Sequence, residues 1–112
     1  MTPLLLLWLG CANKVEDSAA CSARDPALTW RNFGDAFFTS HCTGCHHAMN
    51  PEGSRGGAPL GVDFDTYAGA LAQIDRIEAR TVPEDGSMPP EGPLTEEQRG
   101  LLAEWIGCGA PP

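Results

Sequence analysis

The residues able to do chemistry crowd into "TSHCTGCHHAMNPEG", positions 39–53, where His41, Cys42, Cys45, His46, His47 and Met49 offer six donor or nucleophilic groups. A Cys-x-x-Cys pair serves three chemistries: a redox disulfide, half of a zinc site, or two anchors for a covalently attached haem. The residue after the second cysteine separates them, and here it is His46. In Cys42-Thr43-Gly44-Cys45-His46 two thiols one turn apart are spaced to add to the two vinyl groups of a haem, and the adjacent imidazole reaches the iron from the same side. Thr43 and Gly44 are small enough to let the haem edge approach.

A second axial donor is needed, and the sequence offers Met88 in "GSMPP". A methionine often just fills a gap in a core. Met88 lies on no helical stripe, however, and sits between Gly86 and Pro89-Pro90, so it reads as a thioether ligand held by a proline loop. A Met sulfur opposite a His nitrogen favours reduced iron and raises its potential. Two haem-free readings stay open. Cys42, Cys45 and His46, with His41 or His47, could hold zinc, although zinc sites of this kind usually show a second ligand pair at similar spacing, and Cys21 and Cys108 stand alone. A thioredoxin-like redox role needs a βαβ context that the chain lacks.

The elements that must position these groups are helical. Thr29 can cap a first helix, about residues 30–42, on which Trp30, Phe33, Phe37 and His41 recur at helical spacing and Phe38 widens the stripe. Residues 50–62 are glycine-rich and broken by Pro51 and Pro59, an irregular loop. Asp65 can cap a second helix running to about Arg80, with Tyr67, Leu71, Ile74 and Ile77 on its apolar side. "VPEDGSMPPEGPL" carries four prolines and excludes both helix and central strand. In the last element Thr95 and Gln98 form a capping box, Glu96 and Glu97 complement the helix dipole, and Leu101, Leu102, Trp105 and Ile106 make the buried side. No alternating strand pattern appears, so the expected class is all-α, three main helices with long loops.

At 112 residues the chain has room for one domain with a modest core, which a prosthetic group or a disulfide would reinforce. Fifteen acidic against seven basic side chains give a formal charge of −8, which argues against nucleic acid as a partner. It favours basic protein partners, or solubility alone. Five cysteines, Cys11, Cys21, Cys42, Cys45 and Cys108, suit an oxidising compartment. At the N-terminus, Leu4 to Leu9 form an apolar run too short to span a membrane but of signal-peptide length. With Cys11 directly after it, "WLGC" resembles a bacterial lipoprotein signal, which implies cleavage before Cys11 and lipidation of that residue. The expected layout is a signal over 1–10, a tether over 11–25 and a folded domain over 26–112. By the same resemblance, Ala12 after the lipid cysteine leans toward the outer membrane.

Over roughly residues 26–109 the chain resembles the small class I c-type cytochromes. Beyond "CTGCH" and "MPP", Gly34 and Phe38 match a glycine eight residues and an aromatic four residues before the first haem cysteine of that family. Leu102 and Trp105 are similar to the leucine and aromatic they contact on the terminal helix. Pro59 in "GGAPLG" is similar to the family proline whose carbonyl takes the second imidazole proton, and so would orient His46. The resemblance also implies aromatic hydroxyls or basic side chains at the haem propionates, with Tyr67 and Arg80 as candidates and plain core and surface as their alternatives. Because the terminal helices of the family cross, it implies a Cys21–Cys108 disulfide. What the resemblance implies overall is one covalent haem c on Cys42 and Cys45, with His46 and Met88 as axial ligands of the iron. The chain would be a monomeric, lipid-anchored electron carrier on the periplasmic side of a membrane, not an enzyme, serving redox proteins. The competing expectations are a haem-free zinc-binding or interaction lipoprotein and a haem protein whose labile Met makes it a sensor or peroxidase.

Overall fold

The computed structural model describes residues 18–112, so Cys11 and the expected signal segment lie outside the described residues. Among those described, every regular element is helical and no strand occurs, in agreement with the all-α class. Helix α1, Ser18–Ala23, occupies the end of the segment expected to be a tether. It belongs to the folded unit because Cys21 is joined to Cys108 and because Arg24 grips Glu104 through Nε at 2.6 Å and Nη2 at 3.1 Å. Residues 21–24 are therefore tied to the folded unit ahead of Pro26.

The first main helix opens with a wide π-type turn, Trp30–Gly34, and continues as α2, Asp35–His41. Thr29 caps it reciprocally: its hydroxyl accepts the Asn32 N–H at 3.1 Å, and the Asn32 side chain accepts the Thr29 N–H at 2.7 Å. The single second helix expected over residues 66–80 is two, α3 (Tyr67–Ala72) and α4 (Ile74–Thr81), separated at Gln73 with φ −121° and ψ 17°. The cap is Thr66, whose hydroxyl accepts the Gly69 N–H at 3.0 Å, while the Asp65 carboxylate instead accepts the Ala48 N–H at 3.1 Å. The break gives the two halves different duties. Tyr67 donates its hydroxyl proton to the Ala110 carbonyl at 2.6 Å, and Ile77 and Thr81 turn toward a cavity described below. Helix α5, Glu96–Gly107, starts at the Thr95–Gln98 capping box as the sequence predicts.

Aromatic packing joins α2 to α5. Phe38 and Trp105 are fully buried and meet edge to face at 5.9 Å, and Trp30 lies 6.1 Å and Phe33 6.5 Å from Trp105. Leu102 is buried in the same core. What presses on Gly34 is its own Trp30 ring: an added Cβ would stand 2.7 Å from it. The C-terminus closes this core from below, since the Pro111 carbonyl accepts from both the Trp30 N–H at 2.8 Å and the Trp105 indole at 3.1 Å.

Candidate functional site

Beside the aromatic core lies a cavity of about 460 Å³, within the range of small-molecule and cofactor sites. Its walls come from four separate parts of the chain: Cys42, Cys45 and His46 just after α2, Gly56 to Pro59 of the glycine-rich loop, one face of α4 with Ile77 and Thr81, and Met88 to Pro90 of the proline loop. Of the six donors clustered in the opening sequence, His47 and Met49 are not among the lining residues. His47 Nδ1 accepts the Met49 N–H at 3.0 Å, and the Met49 side chain is 82% exposed. His41 does border the cavity, packed on Phe37 with ring centroids 4.8 Å apart.

His46 is held on three sides. Its ring stacks on Phe64 at 4.5 Å, its carbonyl accepts the Phe64 N–H at 2.8 Å, and its Nδ1 lies 2.8 Å from the Val62 carbonyl. A carbonyl can only accept, so Nδ1 carries the proton and Nε2 keeps the lone pair available to a metal. The carbonyl expected from Pro59 is thus supplied by Val62. Pro59 lines the cavity, but its own carbonyl is engaged by the Val62 N–H at 3.2 Å and by Arg55 Nη2 at 2.9 Å.

Met88 reaches the cavity because its loop is pinned to the end of α4. Its N–H donates to the Arg80 carbonyl at 3.0 Å. Gly86 makes that approach possible, since a Cβ there would collide with the Arg80 carbonyl and stand 3.0 Å from that of Pro83. On the opposite wall Gly56 adopts φ +57°, and a Cβ on it would come within 3.1 Å of the Cys45 sulfur. Arg76 and Arg80, one turn apart on α4, are exposed at the border of the cavity, whereas the Tyr67 hydroxyl is committed to the C-terminus.

Both Cys42 and Cys45 are free thiols. Burial against the core pushes the Cys42 thiol up to about 12, so it stays protonated at neutral pH. That is the reverse of what a dithiol redox centre needs, because its attacking cysteine works as a thiolate. Among the described residues no three His, Cys, Asp or Glu side chains are grouped as a metal ion would require. The donors that do share the cavity, one imidazole nitrogen and one thioether sulfur with two thiols at the wall, suit a haem.

The feature the sequence reading passes over is Arg55. Its side chain is 1% exposed, it lines the cavity, and it forms a close ion pair with Asp63. The signal for it was indirect: a loop without regular structure leaves carbonyls needing donors, and Arg55 is the one residue inside it with five N–H groups. Comparison with family models, with curated proteins and with solved structures found no match.

Proposed function

We propose that this chain is a single-haem c-type cytochrome, an extracytoplasmic electron carrier with a class I cytochrome c fold. The observation that carries the reading is the convergence, on one cavity, of both thiols of a Cys-x-x-Cys-His motif, an imidazole whose Nδ1 is already satisfied, and a methionine from a distant loop. Cys42 and Cys45 would hold the haem, each thiol adding its S–H across a vinyl group, sulfur to one carbon and hydrogen to its neighbour, so attachment would consume no oxidant. His46 would hold the iron through Nε2 and Met88 through its sulfur. Arg76 and Arg80 stand where carboxylate groups at the cavity border would be neutralised. The haem, when bound, supplies a one-electron iron couple. With His46 and Met88 both holding the iron, a one-electron carrier would be favoured over an enzyme acting on a substrate.

In this reading Cys11 bears a lipid anchor that tethers the domain at the periplasmic face of a bacterial membrane, the outer membrane being favoured by Ala12. Among the described residues no helix is long and apolar enough to cross a membrane. The test is intact mass after expression with a c-type haem assembly system. The wild-type chain should gain the mass of one haem that survives denaturation. Cys42→Ser with Cys45→Ser should not. A wild-type chain that emerges without added mass would remove the proposal.

A further inference from the structure

Among the described residues, the Arg55 side chain makes six hydrogen bonds within its loop and to Asp63. Its Nε donates to the Ala58 carbonyl at 3.1 Å, Nη1 to the carbonyls of His47 at 2.7 Å and Asn50 at 3.3 Å, and Nη2 to those of Pro59 at 2.9 Å and Val62 at 3.1 Å, with Asp63 as its ion-pair partner. An arginine without solvent is costly unless it is paired and fully hydrogen-bonded, and this one is both. One of its bonds goes to the Val62 carbonyl, which also accepts His46 Nδ1–H at 2.8 Å. Arg55 and His46 therefore share one acceptor oxygen, and each donor weakens what the oxygen offers the other.

We propose that Arg55 is a positioning and tuning residue for His46, acting through the shared Val62 carbonyl and through a buried positive charge balanced by Asp63. The inference rests on the haem reading above. Two effects point the same way. Donation from Arg55 draws electron density from the Val62 oxygen, which weakens its pull on the His46 proton and leaves the imidazole a poorer electron donor. The guanidinium charge at the cavity wall opposes a further positive charge on the iron. Both raise the reduction potential. The pair with Asp63 holds that influence in check, because the carboxylate acts in the opposite sense.

The test is the reduction potential of the haem-loaded protein in three variants, each checked for covalent haem and for thermal unfolding. Arg55→Gln removes the charge and should lower the potential, with an expected shift of about tenfold in the oxidised-to-reduced ratio, 59 mV for one electron. Asp63→Asn leaves the arginine unbalanced and should raise the potential. Arg55→Lys keeps the charge but loses the fork, so stability should fall and the potential should drop by less than in Arg55→Gln. Opposite shifts in the two charge variants mark tuning, because simple loosening of the loop would let water in and lower the potential in both. If Arg55→Gln does not fold, Asp63→Asn decides. An unchanged or lowered potential in Asp63→Asn, in protein that carries its haem, would overturn the role of Arg55 and leave the cytochrome reading intact. A wild-type chain that takes up no haem would overturn both.

Discussion

At the scale of single residues, the cavity works by leaving the right atoms unengaged. His46 spends Nδ1 on the Val62 carbonyl and keeps Nε2, while Cys42 is held as a thiol by the apolar core beside it. The Cys42 shift has a consequence for the haem-free chain. Its folded value, about 12, lies above the ordinary cysteine value of 9.0, so its contribution to stability is complete below pH 9 and is lost as pH rises toward 12. At pH 10 the loss should be on the order of 1 kcal/mol, and Cys42→Ser should remove it. Denaturant unfolding of the haem-free chain with its disulfide intact, at pH 7, 8.5 and 10, measures this; an equal pH dependence in Cys42→Ser would reject it. That the cysteines and His46 share one wall of the cavity follows from their short spacing, and Met88 was legible from its place between Gly86 and two prolines. Val62 and Arg55 were not, since a backbone carbonyl has no residue signature and a lone arginine in a glycine-rich loop ordinarily points to water.

At the scale of elements, the helices whose boundaries are set by local chemistry matched their sequence signals best. The Thr95–Gln98 and Thr29–Asn32 caps act within one turn, and both helices begin where those residues stand. The break at Gln73 has no glycine or proline to announce it; it becomes intelligible only with Tyr67 tied to the C-terminus and Ile77 facing the cavity. Helix α1 was equally hidden, because a six-residue segment of small side chains carries no amphipathic pattern and owes its place to the Cys21–Cys108 bond and the Arg24–Glu104 pair. That bond spans 87 positions with Cα atoms 5.7 Å apart, an ordinary separation for a disulfide. Replacing both cysteines by serine should destabilise the protein by about 4 kcal/mol in the chain-entropy model, less any compaction already present in the unfolded chain. The shift in denaturant midpoint measures it, and a change below about 1 kcal/mol would show that the cross-link does not constrain the unfolded state.

At the scale of the whole molecule, charge and cavity belong together. Of seven basic side chains, Arg55 is buried, Arg24 is paired with Glu104, and Arg76 and Arg80 stand at the cavity, so the acidic excess dominates the remaining surface. Electron transfer to a basic redox partner should therefore slow as ionic strength rises, whereas a rate that is flat or increases with salt would reject steering by this surface. The central claim is that His46 and Met88, not the nearer Met49, would together hold one haem iron from two distant parts of the chain. The visible spectrum of the oxidised, haem-loaded protein tests it most directly through the weak sulfur-to-iron band at its red edge. Met88→Ala should abolish that band and lower the reduction potential, and Met49→Ala should leave both unchanged. A band that survives in Met88→Ala, or that disappears in Met49→Ala, would contradict the account.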